Sequence, residues 1–286
     1  MSRIAYVNGR YVPFQDAGVH IEDRGYQFAD GVYEVIYFHQ GRLIDAQDHL
    51  DRLDRSLGQL QISQPMSRSA LLVVVRRMIA LNRLVSGILY IQITRGVARR
   101  DHPFPKDASP SLVVTVRRAN PPSEEIAEKG VSVITIPDQR WKRCDIKTIG
   151  LLPNLLGKQL AKEQGAFEAW MVDDLGLVTE GTSTNAWIVT TSGELITRNA
   201  EPAILNGITR RTLLRLAKAE GLKLSERPFS VEQAKSAAEA FLSSTTSYAL
   251  PVITIDGHPV GDGKAGKITL RLRHAYQQAM LHGELE

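Results

Sequence analysis

Lys147 is the residue of this chain best set for covalent chemistry. It stands in "RCDIKTIGLL", between Ile146 and an almost wholly apolar run. An unpaired ammonium taken out of water is costly unless it gives up its proton. A lysine treated in this way becomes a free amine able to form an imine with a carbonyl. The plainer reading is a strand-edge lysine whose stem lies on apolar surface while its head stays in water. Position alone favours the plainer reading.

Three further stretches carry chemistry of a complementary kind. In "VTEGTSTNAW", Glu180 precedes Gly181 and three small hydroxyl residues before a strand resumes. This is turn chemistry, in which a glutamate is either solvated or held to face a ring nitrogen. In "LNGITRRTLLRLA", Gly207 opens a helix with Leu213, Leu214 and Leu216 on its apolar side. The first turn of such a helix offers unpaired N–H groups to an anion, though every helix has such a start. "SSTTS", Ser243 to Ser247, places consecutive hydroxyls at a strand end, where they suit phosphate oxygens or an ordinary turn. Each signal is weak alone. Together they supply a covalent anchor, an electronic tuner and an anion cradle, which is what pyridoxal phosphate requires of a protein.

Other chemistries find little support. Seven histidines and one cysteine include no CxxC and no HExxH spacing, so no metal site is expected. Cys144 reads as a small buried hydrophobe ahead of a nucleophile. The net charge of +4 is spread through amphipathic patterns rather than gathered with aromatics, so no nucleic-acid partner is expected. The opening "MSRIAYVNGRYV" has no apolar leader core, and no uncharged run reaches spanning length. We expect no membrane association and a soluble, cytoplasmic protein.

The elements that must position these residues are mixed in type. "IAYVNGRYVP" is a hairpin about Asn8-Gly9. Strands are expected at "GVYEVIYFHQGRLI", "GILYIQITRG", "SLVVTVRR", "GVSVITI", "AFEAWMVD", "NAWIVTT" and "AFLSST". Helices are expected at "AQDHLDRLDRSLGQL", where Leu50, Leu53, Leu57 and Leu60 share a stripe, and over 67–84 with Ser67 as N-cap. Further helices fall at "NLLGKQLAKEQG", "TRRTLLRLAKAEG" and "SVEQAKSAAE". A chain of 286 residues is long for one core. Paired prolines in "RANPPSEE" mark the break. We therefore expect a smaller N-terminal α/β domain over 1–119, a linker at 120–123 and a larger domain over 124–286, two α+β units rather than one doubly wound sheet.

In order, the segments "EDRGYQFADGVYEV", "HLDRL", "YIQITRG", "RWKRCDIKTIGLL", "VTEGTSTN", "LNGITR", "SSTTS" and "PVITIDG" span nearly the whole chain. This succession resembles the class IV aminotransferases, pyridoxal-phosphate enzymes of fold type IV, and within them the D-amino acid branch. The resemblance implies the two-domain α+β / α/β fold of that group, with the larger domain anchoring pyridoxal 5′-phosphate. It implies that Lys147 holds the cofactor covalently and moves the proton, and that Glu180 meets the pyridine nitrogen. Arg52, the backbone of Ile208 and Thr209, and the hydroxyls of Ser244 and Thr245 would hold the phosphate, while Leu205 packs on the ring.

For the substrate α-carboxylate, the resemblance points to Tyr33 together with Arg100 and His102 of "RRDHPF". The last two would reach in from a partner subunit, which implies a homodimer with shared active sites. Amino acids such as D-alanine and 2-oxo acids such as 2-oxoglutarate are the implied small-molecule partners, handled in ping-pong fashion. The branched-chain L-amino acid enzymes lack the Arg-x-His pair and usually carry "GTA" where this chain has "STT". They remain the alternative, with an aminodeoxychorismate lyase of the same fold behind them. Thr148 and Gly150 depart from the usual family residues, Pro153 sits at the start of the next helix, and Arg99 could compete with Arg100.

Overall fold

A computed structural model describes residues 3–283 and 285. Met1 and Glu286, the outer limits of the expected domains, lie outside the described residues, as do Ser2 and Glu284. The backbone groups into two units. Residues up to 120, together with 146–150 and Leu285, form one; 121–145 and the chain from 151 to 283 form the other. The short Lys147 segment, inside the stretch expected for the second domain, thus packs with the first unit.

The first unit contains β1 (Ile4–Val7), β2 (Arg10–Pro13), α1 (Arg24–Phe28), β3 (Gly31–His39), β4 (Arg42–Leu43), α2 (Ala46–Gln59), α3 (Arg68–Asn82), β5 (Gly87–Thr94) and β6 (Ser111–Arg117). Its antiparallel sheet runs β2-β1-β6-β5-β3-β4. Asn8 and Gly9 both take positive φ, as the hairpin reading requires. Ser67 caps α3 by accepting the Ala70 N–H at 3.3 Å. Leu50, Leu53 and Leu57 of α2 and Val75 and Met78 of α3 pack on Ile36, Phe38, Leu89, Ile91 and Val114 of the sheet. Burial of these two stripes is the main drive for this unit.

The second unit contains α4 (Glu124–Lys129), β7 (Val131–Pro137), α5 (Leu152–Glu163), β8 (Glu168–Val172), β9 (Val178–Gly181), β10 (Asn185–Val189), β11 (Leu195–Thr197), α6 (Ile208–Ala219), β12 (Leu224–Glu226), α7 (Val231–Lys235), β13 (Glu239–Ser244), β14 (Tyr248–Ile255), β15 (His258–Pro259) and α8 (Lys267–Leu281). The sheet order is β12-β11-β10-β13-β14-β7-β8-β9, with β15 on β14. β7 lies parallel to both β8 and β14, and β11 parallel to β12; the remaining pairs are antiparallel. The mixed sheet agrees with the α+β expectation.

Several elements differ from the sequence expectation. The helix expected over "SVEQAKSAAE" stops at Lys235, because the Ala238 N–H donates to the Val189 carbonyl at 2.8 Å and draws the chain into the sheet. Pro153 sits in the first turn of α5, where its missing N–H costs nothing. The helix α8 was not anticipated. Its buried side includes Leu272, Tyr276, Ala279 and Met280, but also Arg273 at 1% exposure, which masks the apolar period. Arg273 is accommodated by the carbonyls of Ser247, Ala249 and Pro122 and by Glu124. Among the described residues no helix is long and apolar enough to cross a membrane.

Candidate active site

In the first unit, β4 covers only Phe38 and His39 at the far end of β3. The near end is paired instead by the Lys147 segment. The Tyr33 N–H donates to the Lys147 carbonyl at 3.0 Å, Thr148 bridges Val32, and the Ile149 N–H donates to the Gly31 carbonyl at 3.2 Å. Gly31 permits this approach, since a Cβ there would lie 2.7 Å from the Ile93 carbonyl oxygen and 3.1 Å from Ile149. This pairing sets the half-buried Lys147 with its Nζ 4.3 Å from the centroid of the Tyr33 ring. Among the described residues no carboxylate pairs with that Nζ. Tyr33 in turn stacks on Tyr90 at 5.5 Å, whose hydroxyl burial pushes up to about 12.

The next residue of β3 organises Arg52. Glu34 is fully buried and accepts from Arg52 Nε at 2.7 Å and Nη2 at 2.8 Å, while His49 Nδ1 lies 2.7 Å from the same carboxylate. Burial alone would raise the Glu34 carboxyl, but the Arg52 guanidinium and His49 outweigh it and hold it at about 2. Arg52 is therefore a charge fixed by a planar two-point bond on the face of α2. Lys147–Tyr33 and Arg52–Glu34–His49 are two clusters on successive residues of one strand.

Arg100 and His102 lie on the exposed loop between β5 and β6. The Arg100 guanidinium stands 4.5 Å from the Phe28 ring, and the His102 ring lies 5.8 Å from it. Phe28 ends α1, whose start is capped by the Asp23 side chain accepting the Gly25 N–H at 2.8 Å.

In the second unit, Glu180 lies on the end of β9 rather than in the turn, at 5% exposure. Its carboxylate is bound by Arg140, by Asn185 Nδ2 at 2.9 Å and by the Leu205 N–H at 3.0 Å. Arg140 is itself oriented by Asp138. Burial works against the Arg140 charge, but Glu180 and Asp138 hold its pKa above the usual value. The hydroxyls of Thr182, Ser183 and Thr184 do not turn to Glu180. They converge on the fully buried Glu168 of β8, which pins the turn.

Asn185 ties the remaining parts together. Its Nδ2 also donates to the Leu205 carbonyl at 2.9 Å, and its backbone pairs with Ser243 next to Ser244. Its Oδ1 would lie 2.1 Å from any Cβ on Gly207, the N-cap of α6. No side chain caps that helix and no acidic residue enters its first turn, which begins with the buried Ile208 and Thr209. Ser244 Oγ accepts from the Ser247 N–H at 3.1 Å, leaving Thr245 half-buried at the tip of the turn. A helix start without a side-chain cap, hydroxyls at a strand end and a braced carboxylate are the donor set that a phosphorylated pyridine would fit. Cys144 takes no part in this set: its thiol donates to the Trp141 carbonyl at 3.0 Å, and burial pushes it up to about 11.

Sequence reasoning missed Arg140, Asn185 and Glu168. Asn185 carried a faint signal, as a polar residue opening the wholly buried strand "NAWIV". Arg140 and Glu168 gave no sign of these roles, since Glu180 lies 40 residues from Arg140 and the hydroxyls bound by Glu168 lie about 15 residues from it.

Residues 31–255 match the amino-transferase class IV family. The chain is 39% identical over 274 residues to a D-alanine aminotransferase from Bacillus licheniformis, with 96% of each chain covered. It is 40% identical over 284 residues to one from Listeria monocytogenes serotype 4b, covering 98% of each. Among solved structures, a branched-chain amino acid aminotransferase of Escherichia coli superposes with a TM-score of 0.90 at 25% identity, over 98% of this chain and 95% of that one. A branched-chain aminotransferase of the thermophilic archaeon Thermoproteus uzoniensis, solved with norvaline, gives 0.88 at 24%, over 99% and 96%, a likeness of fold.

Proposed function

The chain belongs to the class IV aminotransferases, the pyridoxal-phosphate-dependent transaminases, and from that premise we propose that it moves amino groups between D-amino acids and 2-oxo acids. The observation that carries the reading is the half-buried Lys147, held against β3 beside Tyr33 with no carboxylate partner among the described residues. Full-length identity of 39–40% to two D-alanine aminotransferases supports the D-specific branch over the branched-chain one.

When bound, pyridoxal phosphate supplies an electron-withdrawing ring that stabilises charge left on the substrate Cα. The chain does the rest. Lys147 would hold the cofactor, and its Nζ would then serve as the base that takes the Cα proton and the acid that returns one. Glu180, braced by Arg140, Asn185 and the Leu205 N–H, would face the ring nitrogen and keep its proton in place through a charge-assisted bond. Arg52, the N–H groups of Ile208 and Thr209, and the hydroxyls of Ser244 and Thr245 would hold the cofactor's phosphate, and Leu205 would pack on its ring. Tyr33, with Arg100 and His102 reaching in from a partner subunit, would grip the α-carboxylate and so orient the Cα–H bond.

With this reading go two domains, 1–119 and 124–286, about a linker at 120–123. With it also go a homodimer whose sites share residues and a cytoplasmic location. The test supplies D-alanine or L-leucine with 2-oxoglutarate and follows the 2-oxo acid formed. Pyruvate from D-alanine is expected; turnover of L-leucine alone would transfer the protein to the branched-chain enzymes.

A further inference from the structure

The loop that bears Arg100 and His102 is exposed along nearly its whole length, yet two buried arginines grip it from beneath. Arg24, in the first turn of α1 and 3% exposed, donates from Nη1 to the Asp101 carbonyl at 2.6 Å and from Nη2 to the His102 carbonyl at 3.3 Å. These are the two carbonyls that follow Arg100. Its third nitrogen, Nε, donates to Asp30 at 2.8 Å. Arg95, 6% exposed where the loop leaves β5, donates to the same Asp30 oxygen at 2.7 Å and to its other oxygen at 3.0 Å. The Arg95 guanidinium also stacks 3.6 Å from the Phe104 ring at the far side of the loop, and is itself moored to the Leu60 and Gln61 carbonyls.

The neck of the loop is closed by a further device. Gly96, at φ 98°, sits so near Ser109 that a Cβ would fall 1.9 Å from the Ser109 carbonyl oxygen. Across from it, the Arg24 N–H donates to the Gly96 carbonyl at 2.9 Å, and Val97 bridges Asp23. Phe28 completes the support, with Arg24 4.8 Å and Arg100 4.5 Å from its ring. A guanidinium that spends all its nitrogens on backbone carbonyls and a partly buried carboxylate fixes position rather than chemistry. An exposed loop otherwise samples many conformations, and a loss of about 1 Å in placement can cost on the order of 100-fold in rate.

We propose that Arg24, locked by Asp30 against Arg95, is the positioning residue that sets Arg100 and His102 at the spacing needed to take a substrate carboxylate. This rests on the reading of Arg100 and His102 as the carboxylate grip. Arg24 acts through the loop backbone and touches no substrate. Asp30 lends charge to both arginines at once, so a neutral amide there frees the pair while leaving the loop sequence intact.

The test compares Arg100→Ala, Arg24→Met, Arg24→Lys and Asp30→Asn in the full-length holoenzyme. Each is measured for KM and kcat with D-alanine, for the bound-cofactor absorbance and for hydrogen exchange of the amides 98–104. For Arg24→Met we expect KM for D-alanine to rise about tenfold to 100-fold, with cofactor absorbance unchanged and faster exchange confined to the loop. Arg24→Lys, which keeps the charge but not the fork, should restore part of the exchange protection and part of KM. Should Arg24→Met fail to fold, Asp30→Asn reads the same loop. If Arg100→Ala raises KM while Arg24→Met and Asp30→Asn leave both KM and loop exchange unchanged, the positioning role is overturned. If Arg100→Ala itself leaves KM unchanged, the carboxylate reading fails, and faster loop exchange in Arg24→Met would then show a clamp serving some other purpose.

Discussion

The chemistry at residue scale depends on how each charged side chain is partnered. Lys147 has an aromatic face and no carboxylate beside it among the described residues, whereas Arg52, Arg140 and Arg24 are each tied to an acid, buried for the first two and partly buried for the third. A lysine left in that state is available to a carbonyl, and the arginines are available only as fixed positive charge. In the holoenzyme borohydride reduction should leave its label on Lys147 on peptide mapping, and Lys147→Ala should take up none. Transamination should fall by about 100- to 10,000-fold, the usual worth of a positioned acid–base group. A normal rate, or a reduced label at another lysine, would contradict the assignment. The sequence made Lys147 and Glu180 visible because their neighbours are local: an apolar run for one, a Gly turn for the other. Glu168, which gathers the three hydroxyls of that turn, was invisible because its partners meet it only across the β8–β9 pairing.

Among the elements, α6 matters most, since under the proposed function its uncapped start would receive the phosphate. Its entry is closed to any side chain by Asn185, whose amide is held at once by Glu180 and the Leu205 carbonyl and so cannot move aside. Gly207→Ala should therefore lower stability by about 1–3 kcal/mol, the cost of an extra methyl in a packed place. It should weaken cofactor retention more than an equally destabilising change elsewhere. Chemical denaturation together with titration of the apoprotein with pyridoxal phosphate separates the two effects. Helices α2 and α3 were legible from their leucine and valine stripes. α8 was not, because an arginine buried by remote carbonyls occupies its inward side.

For the whole molecule, acid is the revealing perturbant. Burial would raise Glu34, Asp30 and Asp138, yet each is held below its ordinary value by arginine: Arg52 for Glu34, Arg95 and Arg24 for Asp30, Arg140 for Asp138. A carboxyl depressed in the folded state adds stability that is complete above its unfolded pKa and lost as pH falls through the folded one. For Glu34 that window runs from about 4.5 down to about 2. We expect melting temperature to drop steeply across it. Glu34→Gln should be less stable at neutral pH and show a shallower decline in acid, as followed by thermal melts at stepped pH; an unchanged slope would remove Glu34 as a contributor.

Local pattern alone determined the hairpin at Asn8-Gly9, the striped helices, the mixed fold class and the lysine, glutamate and hydroxyl stretches that a pyridine phosphate would need. Those features depend on residues within a few positions of one another, where periodicity and turn chemistry speak directly. Only the folded chain decided that Lys147 completes the edge of β3, that Asn185 braces Glu180 and shuts the start of α6, and that Arg24 holds the Arg100 loop from 77 residues away. Each of these is a polar pairing made across separate strands, turns or helices rather than within one periodic element. The cost of leaving a polar group unpaired is what makes the fold choose the partner.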